Sequence, residues 1–198
     1  KVNPSGTEYR DGKEGPFMDR SSVKKVHVVY KTHLDVGFTD FSEMVVRKYV
    51  RQYIPQAMKL AREMREAGGD RVIWSTGSWL IDQFLKRATP ENRALMEDAI
   101  RQGDIAWHGL PFTTHSEIMN PELFEYGLSI SKKLDQQFGK KTIAVKMTDV
   151  PGHTKGIVPL MAKAGLEFLH IGVNPASSAP EVPELFRWQC GDREITVM

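Results

Sequence analysis

The sequence predicts an α/β fold, a parallel sheet or barrel with flanking helices, from three observations. Short β-branched runs alternate with stretches of helical period along most of the chain. Residues suited to metal or acid–base chemistry fall at or just past the ends of those runs, where sites gather in parallel α/β folds. Neither internal repeats nor low-complexity tracts interrupt the pattern.

Residues 1–22, rich in Gly, Pro and charge, read as an arm or linker without a core of its own. Val26–Lys31 is an apolar, β-branched run that reads as a buried strand leading into His33 and Asp35, with Gly37 placed to turn the backbone. From Phe38 to Gly68, apolar residues at Met44, Val45, Tyr49, Ile54, Met58, Leu60, Ala61 and Met64 keep a helical period. Pro55 marks a kink there, or a break between two helices. Val72–Trp74 is a short strand. Trp79–Arg87 and Asn92–Gln102 are helices, the second started by Thr89-Pro90-Glu91. Ile105–His108 is a third strand, followed by the loop 109–119 and a helix from Pro121 to Phe138. Thr142–Met147 is a fourth strand, Ile157–Ala164 a helix and Phe168–Val173 a fifth strand. Leu185–Gln189 and Ile195–Val197 are strands joined by a Gly191-Asp192 turn. These strands are too few for a closed barrel, and the last of them reaches almost to Met198. Residues 23–198 therefore read as the amino-terminal portion of a barrel domain truncated at its carboxyl end.

Of 198 residues, 40% are hydrophobic and 26% charged, in the range of ordinary globular domains. The net charge of +2 comes from 27 basic and 25 acidic residues spread along the chain. No phosphate-tracking stripe results, so nucleic acid is not an expected partner. No apolar run approaches the roughly 20 residues that cross a bilayer, so neither is a membrane. Cys190 is the single cysteine, which leaves no internal disulfide and no thiolate metal cluster. The compartment stays open, with the periplasm or secretion slightly favoured over the cytoplasm, and oligomeric state is not legible.

Strand side chains alternate faces, so His33 and Asp35 point the same way. An imidazole beside a carboxylate is a ligand pair for Zn²⁺ or another divalent metal. Asp149, after the fourth strand, is the natural third ligand, although an Asp in a loop more often caps a turn or the next helix. His153 either supports the site by hydrogen bonding or caps the helix near Thr154. His108, His115 and Glu117 line a pocket or are surface polar residues. Trp107 is core material or an aromatic wall for a sugar ring, whereas Trp74, Trp79, Trp188 and the strand residues His27 and His170 read as core. The charges Arg62, Glu63, Arg65 and Glu66 read as a solvated helix face. Gly-rich phosphate loops and the Gly-x-Ser-x-Gly elbow are absent.

Taken together, Val26-His27-Val28-Val29-Tyr30-Lys31-Thr32-His33-Leu34-Asp35-Val36-Gly37-Phe38 and Thr148-Asp149-Val150-Pro151-Gly152-His153-Thr154 resemble two motifs of glycoside hydrolase family 38, the α-mannosidases. The first is a strand ending His-x-Asp-x-Gly-Trp and the second is Asp-Pro-Phe-Gly-His-Ser. Leu160–Leu166 and Phe186–Gln189 are similar to later segments of that family, so the resemblance covers residues 24 to 198. It implies the amino-terminal part of a (β/α)7 barrel of the kind shared with polysaccharide deacetylases. It further implies His33, Asp35 and Asp149 as zinc ligands, and Asp149 as the nucleophile in retaining hydrolysis of an α-mannoside. Phe38, Trp107, His108, His115 and Glu117 would then face the carbohydrate substrate, with His153 behind the metal ligands.

Three positions depart from the family pattern. Phe38 stands for Trp, Val150-Pro151 for Pro-Phe, and Thr113-Thr114-His115-Ser116-Glu117 for a loop with an Asp-Glu pair, as in a divergent branch. The family's fourth metal ligand and acid/base carboxylate correspond to positions after Met198, so this chain alone is expected to be inactive. Two other functions compete with the glycosidase: a metal-dependent deacetylase, for which the His-x-x-x-His pair is missing, and a non-catalytic carbohydrate-binding barrel.

Overall fold

The computed structural model describes residues 21, 23–150, 152–174, 176–178 and 180–198. Seven strands and six α-helices alternate along them: β1 (Tyr30–Lys31), α1 (Ser42–Lys48), α2 (Ile54–Glu66), β2 (Trp74–Gly77), α3 (Ser78–Arg87), α4 (Pro90–Gln102), β3 (Ile105–His108), α5 (Pro121–Phe138), β4 (Ala144–Val150), α6 (Ile157–Lys163), β5 (Phe168–Val173), β6 (Phe186–Cys190) and β7 (Arg193–Val197). The expected arm lies, apart from Ser21, outside the described residues.

Parallel pairing gives a three-stranded sheet, β1-β2-β3, and a four-stranded sheet, β4-β5-β7-β6, in which only the β6–β7 hairpin is antiparallel. A backbone bond from Gly109 N–H to the Ala144 carbonyl (2.9 Å) ties β3 to β4 and makes the two sheets nearly one. The combined sheet is curled. Lys31 on β1 donates to Thr148 on β4 at 3.1 Å, although two strands lie between them. β1 and β6 remain at the two edges, so the described residues form no closed barrel.

Alternation assigns the two faces. Ile105 and Trp107 of β3, Val145 and Met147 of β4 and Leu169 of β5 are buried on the convex face against the helices. Their alternates Lys31, Ser75, Ala106, His108, Lys146 and His170 line the concave face. Two helix starts follow the sequence signals: Thr89 accepts from Asn92 N–H and Asn120 from Leu123 N–H, each just before a proline in the first turn.

Pro55 falls in the first turn of α2, and the expected interruption of the helical segment is a π-helical turn over Tyr49–Tyr53, just before it, that joins α1 to α2 without a loop. Proline lacks the N–H for the usual bond one turn back, and a wider turn just before it absorbs that loss. The first strand is shorter and barer than its β-branched run predicts. Only Tyr30 and Lys31 pair with β2, while Val26, Val28 and Val29 are 69–75% exposed and His27 is exposed as well. The segment lies at a sheet edge, and among the described residues no helix covers it.

Candidate metal and carbohydrate site

His33 and Asp35 leave the end of β1 on one side of the chain, and His33 Nε2 lies 3.0 Å from Asp35 Oδ1. Gly37, at φ 80°, makes the turn into α1 that an L side chain would resist. Asp149 arrives by a less regular route. In plain alternation along β4 it would share the convex face with Met147. A register shift between Thr148 and Val150 instead marks a β-bulge, and Asp149 takes φ 67°, the one positive value among the described non-glycine residues. The bulge turns its carboxylate to the concave side, and Val150 takes the buried convex place. Asp149 Oδ2 then lies 3.4 Å from His33 Nε2. Aspartate tolerates the left-handed region better than most residues, and such strain collects at functional sites.

Neighbouring side chains orient the triad. Thr148 Oγ1 and Thr113 Oγ1 lie 3.2 and 3.3 Å from His33 Nδ1, so a proton on Nδ1 leaves Nε2 free toward the two carboxylates. Asn174 Nδ2, just past β5, donates to Asp149 Oδ1. Gly172 pairs with Thr148 across β4–β5, and a Cβ on it would stand 2.4 Å from Thr148 Cγ2, so Thr148 holds its place because position 172 has no side chain. One ligand atom from each of His33, Asp35 and Asp149 lies within 4.8 Å of the others. One imidazole and two carboxylates form a donor set that a divalent cation accepts, and the residues fit one.

The other expected site residues lie elsewhere. His108 is on the concave face below the triad, where burial first, then Lys146 and Lys31, hold its pKa down to about 4. Trp107 does not face a sugar. It points to the convex core and donates to Asp135 at 3.0 Å, because its parity on β3 is opposite to that of His108. Phe38 is 86% exposed beyond the turn. His115 precedes and Glu117 lies within the short 3₁₀ turn at Ser116–Ile118, which packs beside the loop after β4. His153 approaches Ser116 Oγ at 3.4 Å, and no hydrogen bond joins it to the triad among the described residues. Burial, and then His115, lower its pKa to about 4. Thr113, Thr148 and Asn174 were not singled out as site residues by sequence, although the places of Thr148 near the end of β4 and Asn174 just past β5 were a usable signal.

A model for the glycosyl hydrolases family 38 N-terminal domain matches residues 23–194. The chain belongs to glycosyl hydrolase family 38. No curated protein matches it. Among solved structures, an α-mannosidase from Enterococcus faecalis V583 is similar at 15% identity and TM-score 0.69, over 86% of this chain and 19% of that one. A family 38 protein from Enterococcus faecalis follows at 12% identity, TM-score 0.62, 86% of this chain and 18% of that one. A 4-α-glucanotransferase from Thermococcus litoralis shares 17% identity and TM-score 0.60, over 85% of this chain and 26% of that one. At these identities the likeness is one of fold, and the family 38 chain spans about a fifth to a quarter of the structures it matches. No helix among the described residues is long and apolar enough to cross a membrane.

Proposed function

We propose that this chain is the metal-holding part of a retaining α-mannosidase, with His33, Asp35 and Asp149 as ligands of Zn²⁺ and Asp149 as nucleophile. The bulge at Asp149 is the observation that carries the reading. A strand that breaks its alternation to bring a strained aspartate beside a His-x-Asp pair has a use for that carboxylate. A bound zinc ion would supply Lewis-acid charge for sugar hydroxyls and for the ring approaching its oxocarbenium-like transition state.

The chain's own groups divide the remaining work. Oδ2 of Asp149 turns toward the other ligands, while Asn174 steadies Oδ1, the oxygen left to attack the anomeric carbon. The aglycone leaves as the glycosyl ester forms on Asp149, and water later cleaves that ester. Thr148 and Thr113 keep the His33 ring in one orientation. Retaining hydrolysis also needs a second carboxylate about 5 Å from the first as general acid. Asp35 and Asp149 are both committed to the metal, so the triad itself offers none.

Titration of the purified chain with Zn²⁺, or with Co²⁺ as a visible probe, tests the reading. One equivalent should bind. Asp149→Asn should lose more affinity than the roughly 10–100-fold that removal of an outer hydrogen-bond partner costs. Absence of metal binding, or Zn²⁺ affinity left unchanged by Asp149→Asn, would overturn it.

A further inference from the structure

Beneath the triad, the concave face carries four basic side chains in one cluster. Lys31 Nζ donates to Thr148 Oγ1 at 3.1 Å, the same hydroxyl that meets His33, so one ammonium lies a single side chain away from the metal ligands. Lys146 Nζ lies 3.0 Å from His170 Nδ1, and Lys146 is close enough to Lys31 for each to oppose the other's charge. His108 completes the group, and its Nδ1 is buried without a hydrogen-bond partner among the described residues. No carboxylate pairs with Lys31 or Lys146 among those residues. Lys31 is exposed and Lys146 half-buried, and burial first, then Lys31, hold the Lys146 pKa down to about 7, so the repulsion is relieved either by loss of that proton or by an anion that joins the two groups. The two carboxylates above do not supply it, since a divalent cation held by Asp35 and Asp149 neutralises both.

We propose that Lys31, Lys146, His108 and His170 form an anion subsite continuous with the triad, and that the carbohydrate ligand carries an oxyanion, a carboxylate or a phosphate. Lys31 and Lys146 supply the charge, and the two imidazoles donate from the sides. The inference rests on the triad being the sugar site, and it deepens that reading by naming an acidic sugar.

Calorimetric titration of the whole chain with mannose 6-phosphate, mannuronate and mannose tests it. Either acidic sugar should bind about tenfold or more tightly than mannose, and that advantage should shrink as sodium chloride is raised. Preference for the phosphate or for the uronate identifies the oxyanion. Lys146→Met should remove the advantage while leaving Zn²⁺ affinity unchanged, and Lys31→Gln provides a second variant should the first not fold. Equal binding of all three sugars, or an acidic preference that survives in both folded lysine variants, overturns the subsite. Loss of Zn²⁺ binding with acidic preference intact would instead count against the metal-site reading alone.

Discussion

Asp149 shows how one residue can depart from the pattern of its strand and define a site by doing so. Because Thr148 and Asp149 are neighbours that both face inward, the contacts of one depend on the room left for the other. Gly172→Ala should therefore act at a distance. The added methyl must displace the Thr148 side chain, costing about 1–3 kcal/mol of stability as overpacking does. Without its Thr148 bond, His33 should also lose Zn²⁺ affinity, roughly 10–100-fold as for other outer partners. Chemical denaturation and metal titration of that variant check the two effects separately. At this scale, His33 and Asp35 were legible because a two-residue spacing at a strand end needs no tertiary information. The orientation of Asp149 was not, since a bulge is set by the pairing with β5 and leaves no mark on hydropathy. Trp107 and His108 could not both face a ligand, because adjacent strand residues face opposite ways and the sequence alone does not say which way is inward.

Among the elements, α5 is joined to the sheet by one buried carboxylate. Asp135 accepts from Trp107 Nε1 (3.0 Å), Thr142 N–H (2.8 Å) and Thr142 Oγ1 (2.7 Å), binding the helix to β3 and to the approach to β4. Replacing the indole by a ring that cannot donate leaves a buried charge with fewer partners. Trp107→Phe should therefore cost about 1.5–3 kcal/mol, read as a lower urea midpoint with an unchanged slope. A similar buried acid, Asp104, accepts from Arg65 at 3.2 Å, so one charge of the supposed solvated face serves instead to pin α2. Helix identities and order were legible from periodicity, capping residues and prolines. β3 and β5 fall where expected, the start of β1 moves by four residues and other strand ends by up to three, because pairing, not propensity, decides where a strand starts and stops. The π-helical turn was hidden because proline announces a lost hydrogen bond without saying how the chain absorbs it.

Across the whole molecule, His108 and His153 make stability depend on pH. Both have folded pKa values near 4, below the ordinary histidine value, so the unfolded chain binds more protons between about pH 4 and 6.5. Stability should be complete above that window and fall as pH drops through it, by at most about 1.4 kcal/mol per pH unit for each histidine. Thermal melts at pH 7.5 and 5 check the sign, and His153→Gln should reduce the difference. The bare run before β1 bears on handling rather than on chemistry. Three valines within four residues, 69–75% exposed at the margin of a sheet, resemble the sticky border on which chains add to one another as extra strands. At high protein concentration this border should seed self-association, seen as light scattering that grows with time. Val28→Lys should keep solutions clear without lowering the melting temperature.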